Sequence, residues 1–103
     1  MSHGIPVRGI ELRYLLTTYL FDHGPSTVDE LIDGLALQGF DVVGRPSKAV
    51  SDALRWEMRH HRVARSERGV YRPGVLPRST EYRIDQRVLA LRARAAAIPR
   101  EAA

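Results

Sequence analysis

The 103-residue sequence predicts a mainly α fold: three helices, then a small β-hairpin, then a C-terminal helix. Three observations predict it. Apolar residues recur at helical spacing in four separate segments. A Thr-x-x-Glu signature at Thr27 and Glu30 opens the second of these. Two short runs of β-forming residues flank a turn that contains Gly69. A hydrophobic content of 44% with 27% charged residues is the composition of a globular chain, and the length suits one domain.

The elements follow in order. Residues 1–7 carry no periodic pattern and are expected to form a flexible N-terminus. Over 8–23, "RGIELRYLLTTYLFDH", Leu12, Leu15, Leu16, Tyr19 and Leu20 share one helical face. Gly24-Pro25 ends that helix, because Gly accepts the closing conformation and Pro cannot continue the hydrogen-bond ladder. In "STVDELIDGLALQGF", Thr27 and Glu30 satisfy each other's orphan amides as a capping box. Val28, Leu31, Ile32 and Leu35 supply the apolar stripe of the second helix. "FDVVGR" reads as a connecting loop, and Pro46 suits the first turn of a third helix.

The third helix, about 46–60, divides its residues sharply. Taking about 100° of rotation per residue, Val50, Ala53, Leu54 and Met58 fall on one arc, with Ala49 and Trp56 at its edge. Lys48, Ser51, Asp52, Arg55 and Arg59 fall on the opposite arc. One face is built for a core. The other is polar and mostly basic, with Asp52 its only acid. Glu57 is the exception, an acid inside the apolar arc that calls for an arginine partner. His60 closes the helix, where a cation complements the dipole.

Beyond it, "RVARS" and "VYRPG" read as strands joined by a tight turn at "ERG", with Arg65 and Arg68 near the tip. Two strands alone are marginal, so the hairpin must pack on the helices. The fourth helix, 79–98, ends before Pro99. Its residues Ile84, Val88, Leu91, Ala95 and Ile98 are spaced 4, 3, 4, 3, a heptad seam. The seam is read as a homodimer contact, the alternative being a fold back onto the first helix. Residues 99–103 are expected to be a disordered tail.

Charge is distributed unevenly. Residues 1–43 hold two Arg against six acidic groups, whereas 44–103 hold fourteen basic groups against six acidic ones. Fifteen of the sixteen basic residues are Arg, the residue best suited to planar bidentate contact with phosphate or guanine. A polyanionic partner for the second half is the expectation. Other classes find little support. The absence of cysteine removes disulfides, a thiolate nucleophile and a cysteine zinc site. Four histidines, two of them adjacent, have no metal-ligand spacing, so no metal or other cofactor is expected. Asp29, Glu30 and Asp33 cluster where they complement a helix N-terminus, without a nucleophile–base pair, so no enzyme is expected. "GRPSK" lacks the spacing of a phosphate-binding P-loop. Tyr14 and Tyr19 read as core, and Trp56 as a core-edge residue or a stacking surface. No apolar run reaches the ~20 residues of a membrane helix, and the N-terminus lacks signal-peptide character. A cytoplasmic, nucleoid-associated protein without membrane contact is the expectation.

Three pieces, "GPSTVDELIDGL", "RPSKAVSDALRWEM" and "HHRVARSERGVYRPG", in this order resemble the winged helix-turn-helix family over about residues 8–75. The G-R-P-S entry to the third helix also resembles winged modules of the HARE helix-turn-helix type. The loop "QGFDVVGR" is longer than the turn of the simplest helix-turn-helix. The resemblance implies that the third helix enters the major groove of double-stranded DNA. Ser47, Lys48, Ser51, Asp52 and Arg55 then become candidate base readers, with Arg55 on guanine and Asp52 accepting from cytosine or orienting Arg55. Arg45, Arg59 and Arg62 become phosphate contacts. Arg65 and Arg68 reach the backbone or minor groove from the wing formed by residues 62–72. A sequence-specific transcriptional regulator, such as a repressor, is implied. The alternatives are a winged module for protein contact, its basic face meeting an acidic surface, and a low-specificity DNA coater.

Overall fold

The computed structural model describes residues 4–98 and shows four helices with a small antiparallel sheet. Helix α1 (Gly9–His23) is the hub, touching every other helix of the domain. Leu12, Leu15, Leu16 and Leu20 are buried along it as expected, joined by Tyr14 and Thr17. Gly24, at φ +83°, ends it by donating its N–H to Leu20 O at 2.8 Å. Strand β1 (Ile5–Val7) precedes α1, and β2 (Ser26–Thr27) follows it.

The capping box forms as the sequence predicts. Thr27 Oγ1 accepts from the Glu30 N–H at 3.1 Å, and Glu30 Oε1 accepts from the Thr27 N–H at 2.8 Å. It opens α2 (Val28–Leu37), whose Leu31 and Leu35 are fully buried. Strand β3 (Phe40–Val42) leads to α3 (Pro46–Arg59), with Pro46 in its first turn. A hairpin of β4 (Val63–Glu67) and β5 (Val70–Pro73) turns at Arg68-Gly69, and α4 (Arg78–Ala97) closes the chain.

Two expectations about the ends and the loop are corrected. Residues 5–7 are not a loose N-terminus, and Phe40–Val42 is not merely loop. They pair as parallel strands in the register Ile5↔Phe40, Pro6↔Asp41, Val7↔Val42. Ile5, Val7 and Phe40 enter the core, while Pro6, which has no N–H to donate, faces outward. Three residues are too few to display a period-two pattern, and the partner strand lies far along the chain. Residues 1–3 of the expected flexible N-terminus and the expected tail 99–103 lie outside the described residues.

The hairpin gains a third strand. β2 pairs antiparallel with β5, Ser26↔Tyr71 and Thr27↔Val70, giving the order β2-β5-β4. This tethers the hairpin to the turn between α1 and α2 and meets the requirement that two strands not stand alone. At its root Gly74 passes so close to the chain that a Cβ would sit 2.3 Å from His61 O.

The α4 seam is corrected too. Ile84, Val88 and Leu91 are buried within the single chain as part of the common core, and α4 packs along α1. Ala95 lies over Gly39, whose Cβ, if present, would meet it at 3.3 Å. Ile98 falls beyond the helix and is 38% exposed. The seam expected to pair two copies is already spent on the chain's own core. A heptad pattern specifies an apolar stripe but not its partner, and α1 supplies one. Among the described residues no helix is long and apolar enough to cross a membrane.

Candidate nucleic-acid interface

α3 owes its orientation to its apolar arc. Val50, Ala53 and Leu54 are buried, Ala49 and Met58 pack against the core, and the opposite arc is therefore turned outward. Arg45, Ser47, Lys48, Asp52, Arg55 and Arg59 are exposed, and Ser51 is half-buried. Arg65 and Arg68 are exposed on the hairpin, Arg68 in the turn itself.

The tertiary fold brings part of this set together. Ser51, Arg55 and Met58 of α3 and Arg65 and Tyr71 of the hairpin line a shallow groove of ≈ 210 Å³. Arg65 and Tyr71 are cross-strand partners, with the Arg65 guanidinium 5.6 Å from the Tyr71 ring centroid and its Nη2 donating to Tyr71 Oη at 3.4 Å. In the sequence Tyr71 reads only as a strand former and Met58 only as core. A plain count back from the Arg68-Gly69 turn sets Ser66 opposite Tyr71; the irregularity between Arg65 and Glu67 shifts the register and brings Arg65 there instead.

Asp52 is engaged on both carboxylate oxygens. Lys48 Nζ donates to Oδ2 at 2.8 Å, and Arg55 Nη1 donates to Oδ1 at 3.1 Å. The hydrogen bond from Lys48, assisted by the charges of Lys48 and Arg55, holds the Asp52 carboxyl below its ordinary value of 3.8.

Arg62 does not belong to the outward set. Its side chain is 15% exposed and clamps Glu57 bidentately, Nε to Oε1 and Nη2 to Oε2, both at 2.8 Å. Glu57 is completely buried, and it raises the Arg62 pKa above its ordinary range through that hydrogen bond. Thr17 Oγ1 donates to Glu57 Oε1 at 2.8 Å, and Arg13 Nε lies 3.5 Å from Oε2. This resolves the oddity of an acid in the apolar arc: it ties α1, α3 and the hairpin root at one point. The expected role of Arg62 as a phosphate contact is overturned, because its guanidinium is turned inward onto a charge it cannot leave cheaply.

Trp56 is 38% exposed at the edge of the basic face. His60 stacks on it at 4.8 Å, and the guanidinium groups of Arg13 and Arg59 lie 4.7 and 5.4 Å from its ring. His60 ends α3 as expected, its Nδ1 within 3.1 Å of Trp56 O.

The chain matches no protein-family model, no curated protein and no solved structure.

Proposed function

We propose that this protein binds double-stranded DNA as a winged helix-turn-helix regulator, with α3 in the major groove and the β4–β5 hairpin as the wing. The observation that carries the reading is the shared groove: Arg55 and Arg65 come from different elements and line one concavity, with Ser51 on its wall. Around it Arg45, Lys48, Arg59 and Arg68 stand exposed. A face that only kept the protein soluble would mix charge signs evenly, whereas here two exposed acids, Asp52 and Glu67, stand among several exposed cations on the two elements. The order of helices and strands supports the same reading. β2 falls between α1 and α2 and pairs with the hairpin that follows α3.

In this reading Arg55 takes guanine O6 and N7, and Ser47, Lys48 and Ser51 reach neighbouring base edges. Arg45 and Arg59 meet phosphates and set register. Arg65 and Arg68 follow the adjacent backbone. Arg62 acts only from within, by fixing the hairpin to α3 through Glu57.

The test is a random-sequence duplex pool titrated at two salt concentrations, with bound duplexes recovered and sequenced. The expected result is a motif retained at physiological salt, and loss of preference at one or two positions in Arg55→Ala, worth ~1–3 kcal/mol each. Binding only at low salt with a random recovered pool marks a low-specificity coater instead. No binding at either salt assigns the basic face to a protein partner and overturns the proposal.

A further inference from the structure

Building on the DNA reading above, we infer that Asp52 is a specificity-determining residue, which withholds Lys48 and Arg55 from bare phosphate backbone and yields them only at a matching base sequence. Three features lead there. Asp52 is the single acid among the outward residues of α3. Both of its oxygens are taken, one by Lys48 at 2.8 Å and one by Arg55 at 3.1 Å. Those two donors are candidate base readers, Arg55 on the groove wall and Lys48 about two turns earlier, with Asp52 between them.

The carboxylate therefore occupies, within the chain, the position a DNA phosphate would take against these cations. On a random duplex, Lys48 and Arg55 can turn their full charge and the donors now on Asp52 to phosphates only by leaving it. That strands a carboxylate, with no counter-ion, beside the polyanion. Exchange gains little, because one anion replaces another and the leftover negative charge is repelled.

A matching site changes the balance. The major groove offers exocyclic amines, cytosine N4 and adenine N6, that donate to a carboxylate. Where such an amine lies beside a guanine, Arg55 passes to O6 and N7 while Asp52 accepts from the amine. Lys48 turns to a neighbouring base edge, so each of the three groups regains a partner and the Asp52 carboxylate keeps a donor in front of it. The ligand class is thus a duplex presenting a guanine next to a cytosine or adenine amine in one groove. Discrimination against other sequences comes partly from repulsion, a route to specificity as effective as added attraction.

The experiment compares the full chain with Asp52→Asn and Asp52→Ala on two duplexes: one of scrambled sequence and the motif recovered by selection. Both are titrated across a salt series. Removing the charge should tighten scrambled-duplex binding about tenfold at low salt. It should also steepen the slope of log K against log salt by roughly one to two, as the freed cations engage phosphates. The ratio of motif to scrambled affinity should fall about tenfold or more. Asp52→Ala, which removes the acceptor as well, should behave alike, and circular dichroism confirms that both variants fold. If the wild type binds DNA and the variants keep its scrambled-duplex affinity, slope and ratio, the inference about Asp52 is overturned and the DNA reading stands. If neither wild type nor variants bind any duplex, the DNA reading fails and the inference goes with it.

Discussion

Glu57→Ala is the sharpest test of how the domain is held together. The substitution removes a completely buried carboxylate that accepts from Thr17 and from both arms of the Arg62 fork. Arg62 and Arg13, with side chains 15% and 22% exposed, would keep their charges with no counter-ion. The Thr17 hydroxyl would be left without an acceptor in the core. Breaking a buried pair by removing one partner costs about 3–5 kcal/mol, most of it from the charge left behind. For a domain of this size the loss corresponds to a fall in Tm on the order of 15 °C or more. Thermal and urea unfolding followed by circular dichroism measure it. The double variant Glu57→Met, Arg62→Met removes both charges and should recover much of the loss, since apolar replacement of a buried pair is often neutral. A single-variant loss below ~1 kcal/mol, or a double variant no better than the single, would refute the claim that Glu57 is the buried anchor of α1, α3 and the hairpin.

Two further outcomes follow from the same packing. Leu91→Ala should destabilise the monomer by about 2–5 kcal/mol, with an unfolding midpoint independent of protein concentration, because Leu91 is buried within one chain. A midpoint that rises with concentration would restore the seam to an interface between copies. The Asp52 carboxylate, followed by NMR, should titrate below 3.8, and Lys48→Ala should move it back toward that value. Because its folded pKa is depressed, the stability it contributes is fully present above the unfolded value and is lost as pH falls through the folded pKa. A midpoint at or above 3.8 would show that the ion pairs do not form in solution.

The four helices and the hairpin were legible because each is signalled within its own segment. Thr27 and Glu30 meet within one turn of helix, so their capping box needs nothing distant. Gly69 turns the hairpin at φ +74°, and Pro46 opens α3, for equally local reasons. The outward set on α3 was legible too, since a helix with one apolar arc must turn its opposite arc to solvent.

What the sequence by itself determined, then, was the set of elements and the chemistry each presents: helical stripes, caps, a turn, and a concentration of arginine after residue 44. Only the tertiary structure decided which surfaces meet. Ile5–Val7 became a strand because Phe40–Val42 lay beside it, and a strand has no ladder without a partner. The α4 stripe went to α1 rather than to a second copy, since burial rewards any apolar face within reach and a neighbour in the same chain is always present. Arg62 and Arg65 are sequence neighbours with the same formal charge, yet one is clamped inside on Glu57 and the other lines the groove. Charge is a property of the residue, but whether it is available to a partner depends on what the fold sets against it.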